Sequence, residues 1–302
     1  MNSLYRPPAS QQIYKSVIAP KYDGFAVEDY FSTRFTYQSR EAWMAQILNG
    51  DISINGIKAS PGTTLHLGDR IITYAGIRQE PPADRQLNII YQDDHIRVFN
   101  KPAPIPVHPS GRYFKNSMTE ILKERFPDEI PRPVQRLDAT TTGLIVFART
   151  REAAGFLMGE FKAQRIYKEY LALVEGKLKE NKKTISAPIG IVVGAQRGIG
   201  QEIKKPKPAI TEVEQLTSNE TYSLLKVTPL SGRTNQIRIH LASESLPILN
   251  DEVYGEGISG SYEYGLHAWS LKFQCFDRYF EFKVQPPLHF QNYFSDLDIK
   301  KL

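Results

Sequence analysis

Four stretches of this 302-residue chain set polar residues inside runs that otherwise read as core. In the first, at 133–145, Arg136 stands two residues before Asp138, so in extended chain the cation and the carboxylate face one side. Thr140, Thr141, Thr142 and Gly143 then make a hydroxyl-rich turn into the apolar run from Leu144 to Ala148. Taken alone, an Arg and an Asp beside a turn are most often a structural ion pair or an Asx-turn. In the second, Lys168 and Tyr170 share one strand face ahead of Leu171, Ala172, Leu173 and Val174. A single tyrosine there reads by itself as a core residue.

The third stretch, at 230–242, carries Arg233 and Arg238 in a glycine-led, largely apolar segment with Gln236 between them. A buried guanidinium requires an anionic partner, either a carboxylate of the chain or a phosphate of a ligand. The fourth runs through Asn250, Asp251, Glu252, Val253, Tyr254 and Gly255 and resumes at Gly265, Leu266 and His267.

These segments need elements to hold them, and the patterning supplies a coarse layout. Residues 1–23 lack periodicity and read as an arm or an irregular edge. Val27, Tyr30, Phe31 and Phe35 follow helical spacing; Ser39 is placed to cap a second helix with Trp43, Ile47 and Leu48 on its buried side. Ile52 and Ile54 alternate with polar residues before the hairpin turn Asn55-Gly56. Residues 24–76 therefore form a small domain, and 77–86 have linker composition. Beyond them, Ser117 and Glu120 have the spacing of a capping box opening a helix through Phe126, and a helix is expected over 152–162. Strands are expected at 87–91, 96–99, 170–174, 224–227, 236–240 and 279–284. Helices and strands mix without regular alternation, so 87–302 reads as an α+β domain.

Composition narrows the function classes. Lys and Arg number 38 against 33 Asp and Glu, and residues 1–80 hold 8 basic and 7 acidic residues, so the surplus lies in the larger domain. That favours an anionic partner there. No segment has the ~20 apolar residues of a membrane-spanning helix, and the N-terminus lacks the apolar core of a secretory signal. A single cysteine, Cys275, excludes an internal disulfide and a thiolate zinc cluster, and the six histidines show no ligand spacing. No metal site, cofactor, membrane or obligate protein partner is expected, and the expected location is cytoplasmic.

In order and spacing, the four stretches resemble the RluA-type pseudouridine synthases over about 87–284. Arg136, Leu137, Asp138, Thr141, Gly143 and Leu144 match the first family motif, and Lys168, Tyr170, Leu171 and Ala172 the second. The 232–241 run meets the third at all positions but one, with lead-in matches at Asn100, Lys101 and Pro102 and at Val107, His108 and Pro109. Residues 24–76 resemble the alpha-L RNA-binding domain of the ribosomal-protein-four type, on Arg40, the 46–50 and 52–56 runs, and Leu67, Gly68 and Asp69. That copy has few cations, chiefly Arg34, Arg40, Lys58 and Arg70, so a domain that merely packs or tethers is an equal reading.

The resemblance implies a pseudouridine synthase fold, with a mixed, mainly antiparallel sheet around a central cleft, and isomerisation of uridine in structured RNA. Ribosomal RNA is the first expected partner and transfer RNA the second. It makes Asp138 the essential carboxylate, attacking the ribose C1′ or the base ring or removing a ribose proton. Arg238 becomes its ion-pair partner, and Tyr170 the residue that stacks on the base and is a candidate to assist proton removal. Leu266 would wall the base pocket, Arg136 fill the space of a flipped nucleotide, and Thr141, Arg233 and Gln236 position their neighbours. Lys168 would bind substrate, and Arg34, Arg40 and Lys58 would bind RNA from the small domain. Lysine and arginine runs at 162–168, 177–183 and 204–207 are candidate phosphate contacts. Three residues depart from the pattern: Gln135 and Asn235 stand for histidines and Pro104 for a glycine. The competing class is a non-catalytic RNA-binding or ribosome-assembly protein on the same fold.

Overall fold

The computed structural model describes residues 4–194, 196–257, 263–294 and 297–298, so residues 1–3 of the expected arm lie outside it. The chain divides into two compact units, one comprising Pro7–Glu80 and the other the remaining described residues.

In the small unit, β1 (Ser10–Val17), α1 (Val27–Arg34), α2 (Arg40–Leu48), β2 (Ile52–Ile54), β3 (Ile57–Lys58) and β4 (Arg70–Arg78) follow in order. The sheet order is β1-β4-β2-β3. Val27, Tyr30, Phe31, Trp43, Ile47, Ile52 and Leu65 form its buried core. The Ser39 hydroxyl accepts from the Ala42 amide and starts α2. Asn55 and Gly56 both take positive φ, 51° and 86°, as the tight hairpin between β2 and β3 requires. Of the two readings of 1–23, arm or irregular edge, residues 10–17 take the edge, as a strand paired antiparallel to β4. Five of its eight residues are exposed, so hydrophobic alternation was absent although the backbone pairs along the strand with one irregularity between Gln11 and Ile13.

The large unit contains β5 (Asn88–Gln92), β6 (Ile96–Lys101), α3 (Met118–Arg125), β7 (Arg132–Pro133), β8 (Thr142–Ala148) and α4 (Arg151–Lys162). It continues through β9 (Tyr167–Glu175), β10 (Lys182–Ser186), β11 (Ile189–Ile191), β12 (Arg197–Gly198), β13 (Lys204–Lys207), β14 (Ile210–Ser218) and β15 (Tyr222–Pro229). It closes with α5 (Gln236–Ser243), β16 (Leu266–Cys275) and β17 (Arg278–Lys283). A ten-stranded sheet runs β10-β14-β15-β9-β16-β8-β6-β5, with β17 on β16 and β7 on β8. β11, β12 and β13 form a separate three-stranded sheet with β11 in the middle. The fold is the expected α+β with a mixed, mainly antiparallel sheet; β8 and β16 run parallel.

That parallel seam lies well inside the ten-stranded sheet. Ala268 lies opposite Gly143 on one side and Tyr170 on the other, and β16 bulges between Ala268 and Ser270. Gly143 has φ of +107°, and a Cβ there would sit 2.2 Å from the Ala268 carbonyl oxygen. Only glycine permits this approach. Residues 81–86, expected as a linker, are tied to the large unit: Ala83 is buried and exchanges backbone hydrogen bonds with Tyr5.

Two local readings are corrected. Residues 236–240 are the first turns of helix α5, not a strand. The Gln-Ile-Arg-Ile-His run alternates as a strand does, but Gln236 and His240 are buried and hydrogen-bonded, so the polar positions do not mark a solvent face. Ser117 does stand at the N-cap of α3, but its hydroxyl bonds the Phe114 carbonyl and Glu120 pairs with Lys123, so no capping box forms.

Candidate active site

Asp138 sits in an irregular segment just before β8, held by a turn in which the Thr141 amide donates to its carbonyl oxygen at 3.2 Å. Arg238 projects from the first turn of α5. Its Nη1 donates to Asp138 Oδ2 at 2.9 Å. Its Nε and Nη2 donate to the two carboxylate oxygens of Asp251, each at 2.7 Å. One guanidinium thus serves two carboxylates, one at the cleft and one behind it.

Asp251 was not singled out among the candidate residues, yet it organises the site. Its side chain has no solvent exposure. Besides Arg238, it accepts from the amides of Val253 and Tyr254 and from the Tyr264 hydroxyl. Burial works against ionisation of Asp251, but the Arg238 contacts and the two amides outweigh it and hold its carboxyl below the usual range. Burial likewise opposes the charge on Arg238, and Asp251, Tyr264 and Asp138 together drive its pKa up instead. The demand for a buried anion was legible at Arg238; its identity was not, because Asp251 reaches it through a loop that no periodicity describes.

The cleft around this pair measures about 450 Å³ and is walled by Tyr170, Leu266, Arg136 and Lys168. Burial, then the charge of Asp138, pushes the Tyr170 hydroxyl up, so the side chain is a neutral phenol through the neutral range. Burial lowers the pKa of Lys168, which forms no ion pair among the described residues. Arg136 is exposed at the mouth. Arg233 is fixed there by its Nε donating to the Pro208 carbonyl at 2.9 Å.

Two residues act as scaffolding. Gln236 is buried; its Oε1 accepts from the Ser231 hydroxyl and the Arg233 amide, and its Nε2 donates to the Ile210 carbonyl and the Thr211 hydroxyl. All its amide capacity is spent shaping the loop ahead of α5. Lys101, also absent from the candidate site residues, is fully buried. Its Nζ donates to the carbonyls of Pro102, Ile105 and Ala139 at 2.8, 2.8 and 3.0 Å, tying the residue after Asp138 to the 102–105 loop. Burial pushes Lys101 down to about 7, against the pull of Asp138.

The departures from the family pattern take definite places. Gln135 lines the cleft and donates to the Leu144 carbonyl at 3.1 Å. Asn235 precedes α5 with φ of 58°, a conformation asparagine tolerates well. Pro104 follows a cis peptide bond.

The other candidates lie elsewhere. Arg34, Arg40 and Lys58 belong to the small unit. Arg34 bonds the Tyr30 hydroxyl, and Arg40 pairs with Asp29 and Glu28. Of the basic runs, Lys182 pairs with Glu214 and Lys183 with Glu244, whereas Lys204, Lys205 and Lys207 on β13 are exposed and form no ion pair among the described residues.

Comparison with known proteins places this geometry. A family model described as RNA pseudouridylate synthase matches residues 95–243. The mitochondrial tRNA pseudouridine(32) synthase of Saccharomyces cerevisiae is 33% identical over 245 residues, covering 80% of this chain and 53% of that protein. Ribosomal large subunit pseudouridine synthase D of Pseudomonas aeruginosa is 33% identical over 230 residues, covering 73% of this chain and 71% of that protein. The solved structure of human RNA pseudouridylate synthase domain containing 1 superposes with a TM-score of 0.58 at 29% identity, covering 69% of this chain and 86% of that one. The chain spans about half the length of the eukaryotic curated relatives it matches, 44% to 62%.

Proposed function

The chain belongs to the RluA-type RNA pseudouridylate synthase family, and from that premise we propose that it isomerises particular uridines in structured RNA, with Asp138 as the essential carboxylate. The observation that carries this reading is the convergence of Asp138, Arg238 and Tyr170 on one cleft, from an irregular segment, a helix and a strand, with a fixed cation 2.9 Å from the carboxylate.

The reaction breaks the bond from ribose C1′ to base N1 and joins C1′ to C5 instead; the C5 proton leaves and N1 gains one, so nothing is oxidised or reduced. A base within a stack cannot reach Asp138, so the nucleotide is flipped into the cleft. There Tyr170 offers its ring and Leu266 its apolar side chain, while Arg136 at the mouth takes the space left behind. Arg238 is not free to swing toward RNA, because Asp251 grips both of its other nitrogens; its part is to hold Asp138.

Ribosomal RNA is the first candidate substrate, supported by the large-subunit relative, and transfer RNA the second, supported by the yeast one. The small unit would contribute RNA binding or tethering.

The test is transcriptome-wide pseudouridine mapping in cells carrying the wild-type protein or Asp138→Asn at equal abundance. Loss of one or a few sites is expected and names the substrate. No lost site would overturn the reading and favour a non-catalytic RNA-binding protein.

A further inference from the structure

The sequence run from Asn250 to Gly255 carries one residue that the proposed chemistry leaves unused. Tyr254 belongs to the ion-pair cluster by its backbone and its ring: its amide donates to Asp251 Oδ1 at 3.1 Å, and its ring centroid lies 5.0 Å from the Arg238 guanidinium. Its hydroxyl looks the other way. It accepts from Asn235 Nδ2 at 3.1 Å and donates to the Arg197 carbonyl on β12 at 3.1 Å. Asn235 in turn receives a long bond, 3.4 Å, from Arg238 Nη1. The ring also packs on the small apolar cluster of Ile189, Ala209 and Ile239, which joins β11 to α5.

A single phenol therefore spends its donor on the three-stranded sheet and its acceptor on the residue that opens the catalytic helix. That sheet presents Lys204, Lys205 and Lys207 to solvent on β13, without, among the described residues, the carboxylate partners that occupy Lys182 and Lys183. Exposed, unpaired lysines in a row suit the backbone phosphates of a nucleic acid.

We propose that Tyr254 is a positioning residue that latches the three-stranded sheet to the Arg238 cluster, so that RNA phosphates gripped by Lys204, Lys205 and Lys207 are set in register with the cleft. The inference rests on the reading of RNA as substrate. The Asn235 side chain is the other half of the latch, and its departure from the family histidine bears on how the sheet is seated.

The experiment measures affinity by fluorescence anisotropy in the Asp138→Asn background, which removes turnover. The probes are a transcribed transfer-RNA anticodon stem-loop, transcribed large-subunit ribosomal RNA fragments and total cellular RNA. Tyr254→Phe, which keeps the ring, and the triple change of Lys204, Lys205 and Lys207 to Ala should each weaken binding by about tenfold. Both should lower the salt dependence, the triple change by about 2 in the log–log slope. Their combination should be no worse than either alone, because latch and grip act as one unit. Asn235→Gly, which keeps the positive φ, should repeat the Tyr254→Phe result. In the catalytically intact protein, Tyr254→Phe should raise KM and leave kcat within about twofold.

Wild-type affinity and salt slope in Tyr254→Phe, losses that multiply in the combination, or a fall in kcat at unchanged KM would each overturn the latch while leaving the isomerase reading intact. A protein that binds RNA yet forms no pseudouridine overturns that reading and leaves the latch to be judged on affinity alone. A protein that binds none of the probes overturns both.

Discussion

Asp251 receives two hydrogen bonds from Arg238, on both carboxylate oxygens at 2.7 Å, whereas Asp138 receives one from the same guanidinium at 2.9 Å. The residue expected to do chemistry is thus the weaker holder of its own counter-ion. Asp251 is sealed from solvent and Asp138 is 36% exposed. Breaking a buried pair costs about 3–5 kcal/mol, and a partly exposed one up to about 1 kcal/mol. Asp251→Asn should therefore destabilise the fold by about 3 kcal/mol and Asp138→Asn by less than about 1 kcal/mol, measured by urea denaturation. Equal losses would show that Asp251 does not anchor Arg238.

Tyr170 lines the cleft as a neutral phenol, so under the proposed function its ring rather than a phenolate would face the base. Stacking on an aromatic ring contributes about 1–3 kcal/mol per base. Single-turnover rates should fall at least about tenfold further in Tyr170→Leu than in Tyr170→Phe. If the two variants are equally inactive, the hydroxyl rather than the ring carries the role.

Gly143 is where β8 passes closest to β16, with space for a hydrogen and nothing larger. The intruding atom in Gly143→Ala would meet backbone atoms of Ala268, which cannot rotate away. This variant should be insoluble or unfolded when expressed, whereas Gly155→Ala, on α4 with open space around it, should fold normally.

His267 carries a pH dependence of stability. Burial pushes it down to about 4, with Thr142 Oγ1 at 2.8 Å from its Nδ1 and the Val284 carbonyl at 3.2 Å from its Nε2. The folded state stays neutral there while the unfolded chain takes up a proton as pH falls below about 6.5. Stability should thus be lost as pH drops from about 6.5 towards 4, by about 3 kcal/mol from this group. Denaturation curves at pH 7, 6 and 5 should show that slope in the wild type and a flatter one in His267→Gln.

The ordered family motifs, rather than any one stretch taken alone, picked out most of the residues that line the cleft. Asp138, Tyr170, Arg238, Arg136 and Leu266 all reach one cleft. Gln236 was marked as a positioning residue, but two other supports, Lys101 and Asp251, were not marked as site residues. Lys101 spends its charge on three carbonyls in two irregular segments, and Asp251 is placed by turns, so neither role has a periodic signature. Gln236 and His240 misled the element assignment because they are buried polar residues, which makes a helix look like an alternating strand. β1 hid for the opposite reason, being an edge strand with little to bury.

The parallel seam between β8 and β16 joins residues more than a hundred positions apart, with Asp138 and Tyr170 before the three-stranded sheet and Arg238, Asp251 and Leu266 after it. A cut in the chain within that sheet would yield two fragments, each with half the cleft. The first would hold β9 with neither of its neighbours, β15 and β16. Neither fragment has a finished sheet, and pairings this distant in sequence form slowly. RNA modification by a severed chain would therefore count the fragments that had found each other, which makes this fold a natural complementation reporter.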